Sequence, residues 1–162
     1  SIKFKNKKNI SGEVVGDIQV KYSKLKGIVV PEKRVPSMID EFPIFCIVSC
    51  FAEGETVMKG IKDLRNKESD RIKEMVQNLN KFGFSVKSTS NSISILGNNK
   101  VNPGKEIVID SKFDHRIAMS FLCLGLLMEN GVKVKNAETI STSFPNFYEI
   151  MKSLGAKLKD KE

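Results

Sequence analysis

Asp40-Glu41-Phe42-Pro43-Ile44-Phe45-Cys46-Ile47-Val48-Ser49-Cys50-Phe51 is the stretch that decides the fold. Its apolar residues do not keep to one stripe but run nearly all round a helix. A helix of that kind is buried on every side. Pro43 suits its first turn, where no backbone N–H is needed, and Gly54 closes it. A fully buried helix has to be covered by other layers, so the neighbouring segments must supply them.

Working outward, Gly27-Ile28-Val29-Val30 reads as a short strand ended by Pro31, and Glu55–Lys59 as another. A helix then runs from about Ser69 to Lys81, with Ile72, Met75, Val76, Leu79 and Phe82 at helical spacing on one face. Ser69 is its expected cap and Gly83 its end. Residues 84–87 and 92–96 read as a hairpin across Ser90-Asn91.

The pattern then recurs. Residues 105–109 read as a strand, 114–128 as a second helix apolar nearly all round, and 132–134 as a strand. Ser143 is expected to cap a second amphipathic helix bearing Phe147, Ile150, Met151 and Leu154; Gly155 ends it, and 157–159 reads as a strand. Asp40 and Asp114 lie 74 residues apart, Gly54 and Gly131 77, and Gly83 and Gly155 72. A repeat this long predicts an α/β domain made by duplication of a βαβαββ unit, with buried helices inside and sheets outside. Residues 2–7 and 13–22 alternate apolar and polar as strands, punctuated by Gly12 and Gly16, and read as the end of an incomplete third unit. The expectation is one domain over 1–162, with units at about 1–22, 23–98 and 99–162.

The 162 residues carry a formal net charge of +8, and residues 1–34 hold nine Lys/Arg against three Asp/Glu. That excess alternates with apolar residues, as on the wet face of a sheet. The chain has no Trp and two Tyr, which speaks against a stacking platform for nucleic acid. Cys46, Cys50 and Cys123 sit in apolar runs without metal-ligand spacing, so they read as reduced core residues. No apolar run is long enough to span a bilayer, and no signal peptide is evident. A cytoplasmic location is expected. The chain opens directly on a strand without Met, which reads as a piece of something longer.

The chemistry gathers at helix starts. Both buried helices open on an acid, Asp40-Glu41 in one copy and Asp114-His115-Arg116 in the other. Between them lies Leu64-Arg65-Asn66-Lys67-Glu68-Ser69-Asp70-Arg71-Ile72. Each acid alone is satisfied by a helix-cap role. Lys67 and Arg71, however, add positive charge to a helix end that is already positive. With Arg116 on the matching end of the second copy, the arrangement predicts an anion site. Asp40 and Glu68, set among apolar or cationic neighbours, are the candidates for acid/base work. His115, the only histidine, reads first as a structural hydrogen-bonder, and Asp70 as a helix-start acid that orients an arginine.

Lys67–Arg71 preceded by Leu64-Arg65 resembles the LRxKESDR signature of the 3-phosphoshikimate 1-carboxyvinyltransferase (EPSP synthase) family, and Asp114–Ser120 its DHRxAM signature. Ser143-Phe144-Pro145 and the 35–43 segment match it in order and spacing. The resemblance covers the C-terminal part of the family only. It implies a two-domain enzyme, each domain an inside-out α/β barrel of three βαβαββ units, with the active site in the cleft between. It also implies transfer of the enolpyruvyl group of phosphoenolpyruvate to the 5-hydroxyl of shikimate 3-phosphate, with release of phosphate and with no metal or organic cofactor.

By motif, Asp40 resembles the acid that contacts the shikimate hydroxyls and acts as base, and Glu68 the group that handles the methylene proton. Lys67 resembles a phosphoshikimate contact, and Arg71 and Arg116 the arginines on phosphoenolpyruvate. The partners implied are the two substrates and the missing N-terminal domain, without which the chain alone is expected to be inactive; no nucleic acid or membrane is implied. One departure stands: where many members carry a lysine two residues before the Phe-Pro, this chain has Thr142. The form Ser143-Phe144-Pro145 resembles a subgroup often less sensitive to glyphosate. The alternatives are a sister enolpyruvyl transferase acting on a UDP-sugar and a non-enzymatic anion-binding module.

Overall fold

The structure is a computed structural model that describes residues 1–98 and 101–159. The chain opens on an antiparallel ribbon, β1 (Ile2–Ile10) and β2 (Glu13–Val20). The register shifts between Lys5 and Lys8, a β-bulge or irregularity in the ribbon. The side chains of this ribbon are almost all exposed, including Ile2, Phe4, Ile18 and Val20.

A short turn of helix, α1 (Val35–Met38), leads through a 3-10 turn at Ile39–Glu41 into α2 (Phe42–Ser49). Phe42, Cys46, Ile47 and Cys50 are buried, but Val48 is exposed and Ile44 and Phe45 are half-buried, so the helix is not covered on every side as its sequence predicts. Burial raises the Cys46 thiol out of any reactive range and pushes Cys50 up to about 12, so both behave as small core hydrophobes. The following sheet has the order β3 (Glu55–Lys59), β5 (Ser92–Leu96), β4 (Ser85–Ser88), all antiparallel. Residues 27–30 are not a regular strand. They run parallel to β3 through an isolated bridge of Val29 to Val57, and a second bridge joins Lys26 to Glu53 just before that strand. Gly27 makes this approach possible, because a Cβ there would collide with the Glu55 carbonyl.

Between β3 and β4 runs α3 (Arg71–Phe82), whose apolar stripe Ile72, Met75, Leu79 and Phe82 is buried. Gly83 ends it at φ 90°, a left-handed cap. In the second unit β6 (Ile107–Asp110) pairs in parallel with β7 (Val132–Lys135), and α4 (His115–Gly125) lies between them in sequence. α4 stops short of residue 128; Leu126 and Leu127 turn outward and are exposed. Phe82 of α3 stacks on Phe121 of α4 with ring centroids 6.1 Å apart, joining the two units through one core.

The C-terminal part departs from expectation in two places. Ser143 closes a short helix, α5 (Ile140–Ser143), rather than capping the next one, and α6 (Phe147–Ser153) starts after Asn146. Phe147 is buried with Ala118 and Ile140, but Leu154 is exposed. Residues 157–159 form no strand; with residues 132–138 they line an open groove beside β7. The order of elements in unit one, helix inside and sheet outside, is therefore repeated in unit two up to its last two strands.

Candidate active site

Three helices bring their N-terminal ends to one point. Asp40 precedes α2, Arg71 is the first residue of α3, and Asp114 caps α4. Arg71 is the hub and is 1% exposed. Its Nε donates to Asp114 Oδ2 at 2.8 Å and its Nη2 to Asp114 Oδ1 at 3.2 Å. The same Nη2 donates to Glu68 Oε2 at 2.6 Å, and Nη1 donates to Asp40 Oδ1 at 3.1 Å. Burial works against a charge on Arg71, but the hydrogen bond and charge of Asp114, with Glu68 and Asp40, outweigh it and raise its pKa.

Asp114 is fully buried. Its Oδ1 accepts from the backbone N–H of Arg116 at 2.9 Å and of Ile117 at 3.3 Å, so the helix-cap role read from the sequence is real. Ser69 Oγ adds a hydrogen bond to Oδ2 at 2.9 Å. Burial alone would raise the Asp114 carboxyl; the bonds and charge of Arg71, with Ser69 and the Ile117 N–H, hold it below the usual carboxylate range. The cap of α3 differs from expectation. Asp70, not Ser69, accepts from the Lys73 N–H, at 3.0 Å, which leaves the Ser69 hydroxyl to face Asp114.

Around this buried centre lies an exposed ring. The Asp40 and Glu68 side chains are 45% and 48% exposed. Lys67 Nζ lies 3.8 Å from Asp40 Oδ1 and Arg116 Nη2 3.8 Å from Asp40 Oδ2. Arg116 Nη1 also donates to the Asp40 carbonyl at 2.8 Å and to Glu41 Oε1 at 3.2 Å. All the residues singled out in the sequence, Asp40, Lys67, Glu68, Arg71 and Arg116, thus meet in one cluster. His115 is half-buried at the first position of α4.

Sequence reasoning missed Arg65. It donates from Nε to Ser90 O at 2.9 Å, from Nη2 to Thr89 O at 2.7 Å and from Nη1 to Asp70 Oδ2 at 2.8 Å. It thereby ties the β4–β5 turn to the start of α3. Asp70 as an acid that orients an arginine was legible; the arginine's grip on a distant turn was not.

Cations and carboxylates are set around converging helix starts, with a buried arginine–carboxylate pair at the centre, on an α/β domain of repeated units. The EPSP synthase (3-phosphoshikimate 1-carboxyvinyltransferase) family matches residues 5–151. A 3-phosphoshikimate 1-carboxyvinyltransferase of Persephonella marina is 47% identical over 149 residues, which is 91% of this chain and 34% of that protein. One from Cereibacter sphaeroides is 45% identical over 157 residues, 97% of this chain and 35% of that protein. Among solved structures, EPSP synthase from Acinetobacter baumannii superposes with a TM-score of 0.91 at 38% identity, covering 99% of this chain and 37% of that one. The enolpyruvyl transferase NikO from Streptomyces tendae shares the fold, with a TM-score of 0.61 at 16% identity. The chain belongs to the EPSP synthase family, and its fold of repeated α/β units is the family's. It spans about a third of the length of the curated relatives it matches.

Proposed function

We propose that this chain carries half of the active site of an enzyme that transfers the enolpyruvyl group of phosphoenolpyruvate to the 5-hydroxyl of shikimate 3-phosphate. In that reaction the 5-oxygen attacks C2 of phosphoenolpyruvate while its methylene carbon gains a proton. The tetrahedral intermediate then loses phosphate and a methyl proton. The reading gives Asp40 the hydroxyl proton and Glu68 the proton at the methylene carbon. Lys67 faces phosphoshikimate, and Arg71 and Arg116 serve the carboxylate and phosphate of phosphoenolpyruvate.

One observation carries the proposal: Arg71 joins Asp40, Glu68 and Asp114, so both signature segments act on a single point. With Glu41, four carboxylates here face three cations, so an incoming anion must exchange with a carboxylate rather than simply add. Asp40 and Glu68, half in solvent, are the ones that can yield; buried Asp114 stays. Exchange would release Asp40 and Glu68 from Arg71 as the substrate takes their place. That links binding to the freeing of both bases.

The division into units at 23–98 and 99–162, with 1–22 as part of another, belongs to this reading, as does an N-terminal domain that completes the cleft. A cytoplasmic enzyme acting on small phosphorylated acids fits three free cysteines, two of them buried. No helix among the described residues is long and apolar enough to cross a membrane. The test is calorimetric titration and phosphate-release kinetics of the full-length enzyme containing this chain. Release should need both substrates, and Arg116→Ala should weaken phosphoenolpyruvate binding while phosphoshikimate binding persists. Phosphate release by residues 1–162 alone, or unchanged phosphoenolpyruvate affinity in Arg116→Ala, would overturn it.

A further inference from the structure

The turn that presents Asp114 is made of residues ill suited to its shape. The Asp114 N–H donates to Ser111 O at 3.0 Å, closing a four-residue turn. Its central residues, Lys112 and Phe113, lie at φ 56° and 60°. Two positive φ values in a closed turn mark the type I′ form, which favours Asn and Gly. A lysine and a phenylalanine there each carry the steric penalty of a Cβ in left-handed backbone. Such a conformation persists only where its surroundings over-determine it.

Asp110 supplies the constraint. Its Oδ1 accepts from the Lys112 N–H at 2.9 Å and from Asn136 Nδ2 at 2.7 Å, and its Oδ2 meets Lys112 Nζ at 3.0 Å. Asn136, itself at φ 58°, follows β7. The preceding residue of the turn, Ser111, is fully buried and bound to the same segment, through its N–H to Lys135 O at 3.1 Å and its Oγ to Asn136 O at 2.8 Å. The ends of β6 and β7 are therefore tied through one carboxylate to the turn between β6 and α4.

We propose that Asp110 is a positioning residue for the anion site. By accepting from Lys112 and Asn136, it holds the Lys112-Phe113 turn in its left-handed shape and so seats Asp114 against Arg71. The catalytic consequence rests on the functional reading above; the geometric claim does not.

Two readouts on the full-length enzyme keep these apart. In Asp110→Ala, kcat/KM for phosphoenolpyruvate should fall about tenfold, the effect of leaving one left-handed non-glycine residue unsupported, while KM for shikimate 3-phosphate stays within about twofold. Amide exchange at Arg116 and Ile117, whose N–H groups rest on Asp114, should quicken in the same variant. Adding Lys112→Gly to Asp110→Ala should restore most of both losses, because glycine adopts the turn unaided. Asp110→Asn keeps the acceptor and should stay within about threefold of the parent enzyme. Unchanged kinetics and exchange in Asp110→Ala, or losses that Lys112→Gly does not recover, would refute the positioning role. If the unaltered enzyme shows no enolpyruvyl transfer, the functional reading fails, and amide exchange at Arg116 and Ile117 still decides the role of Asp110.

Discussion

Arg71 Nε and Asp114 Oδ2 stand 2.8 Å apart with both side chains out of solvent, 43 residues apart in the chain. Neither charge has water to fall back on. Removing Arg71 leaves the buried Asp114 carboxylate without a cation, which costs about 3–5 kcal/mol for a buried pair, whereas Arg71 without Asp114 keeps Glu68 and Asp40. Arg71→Met should therefore lower the stability of the full-length enzyme by about that amount in denaturant unfolding, and Asp114→Ala by less. The double variant Arg71→Met/Asp114→Leu should recover much of it, although the charged cluster has lost its centre. Equal loss in single and double variants would show that the pair is not what holds this junction.

Arg65 clamps the start of α3 to the β4–β5 turn through three hydrogen bonds. Arg65→Ala should cost about 1–3 kcal/mol and speed proteolysis at residues 88–92. Arg65→Lys should rescue little, because one ammonium cannot reproduce the planar fork that meets Ser90, Thr89 and Asp70 together. Limited proteolysis of the three proteins side by side tests it.

The cap of α3 separates two neighbours. Asp70→Ala should lose about 1 kcal/mol of stability, with Asp70→Asn retaining most of it. Ser69→Ala leaves the cap intact and removes one bond to Asp114. Amide exchange at Lys73 should quicken in Asp70→Ala and not in Ser69→Ala.

Stability should fall in acid. Asp110 is lowered to about 2, first by the Lys112 backbone N–H, and Asp114 is held low by Arg71 against the opposing effect of burial. A carboxyl whose pKa is lower folded than unfolded stabilises the fold above its unfolded value of about 4 and loses that contribution as pH drops through the folded pKa. Thermal midpoints should therefore decline as pH falls below about 4.

Glu74 acts in the opposite sense. Burial raises its carboxyl, partly offset by Lys112 and Lys73. Folded protein then binds the proton more tightly than unfolded chain, so stability is lost as pH rises through this range. Glu74→Gln should raise the thermal midpoint at pH 7, and the gain should shrink towards pH 4. A gain independent of pH would point to packing instead.

What the sequence by itself determined is what is local in the chain. Apolar residues nearly all round 40–51 and 114–128 predict buried helices, the stripe from Ile72 to Phe82 an amphipathic one, and Gly83 a stop. Each follows from side chains within a few turns of one another. The acid at each buried helix start and the cations beside it were legible for the same reason, and they pointed to an anion site. Only the tertiary structure decided how those charges are shared. Arg71 takes Asp40 from 31 residues away and Asp114 from 43, and it becomes a buried hub rather than an open grip. Ser69 yields the cap to Asp70 because Asp114 claims its hydroxyl. Residues 27–30 and 157–159 alternate or cluster like strands, yet a strand exists only where a neighbour supplies its hydrogen bonds. Among the described residues that neighbour is slight for the first and missing for the second. Ion pairing and strand pairing are relations between distant segments, and no window of sequence contains both partners.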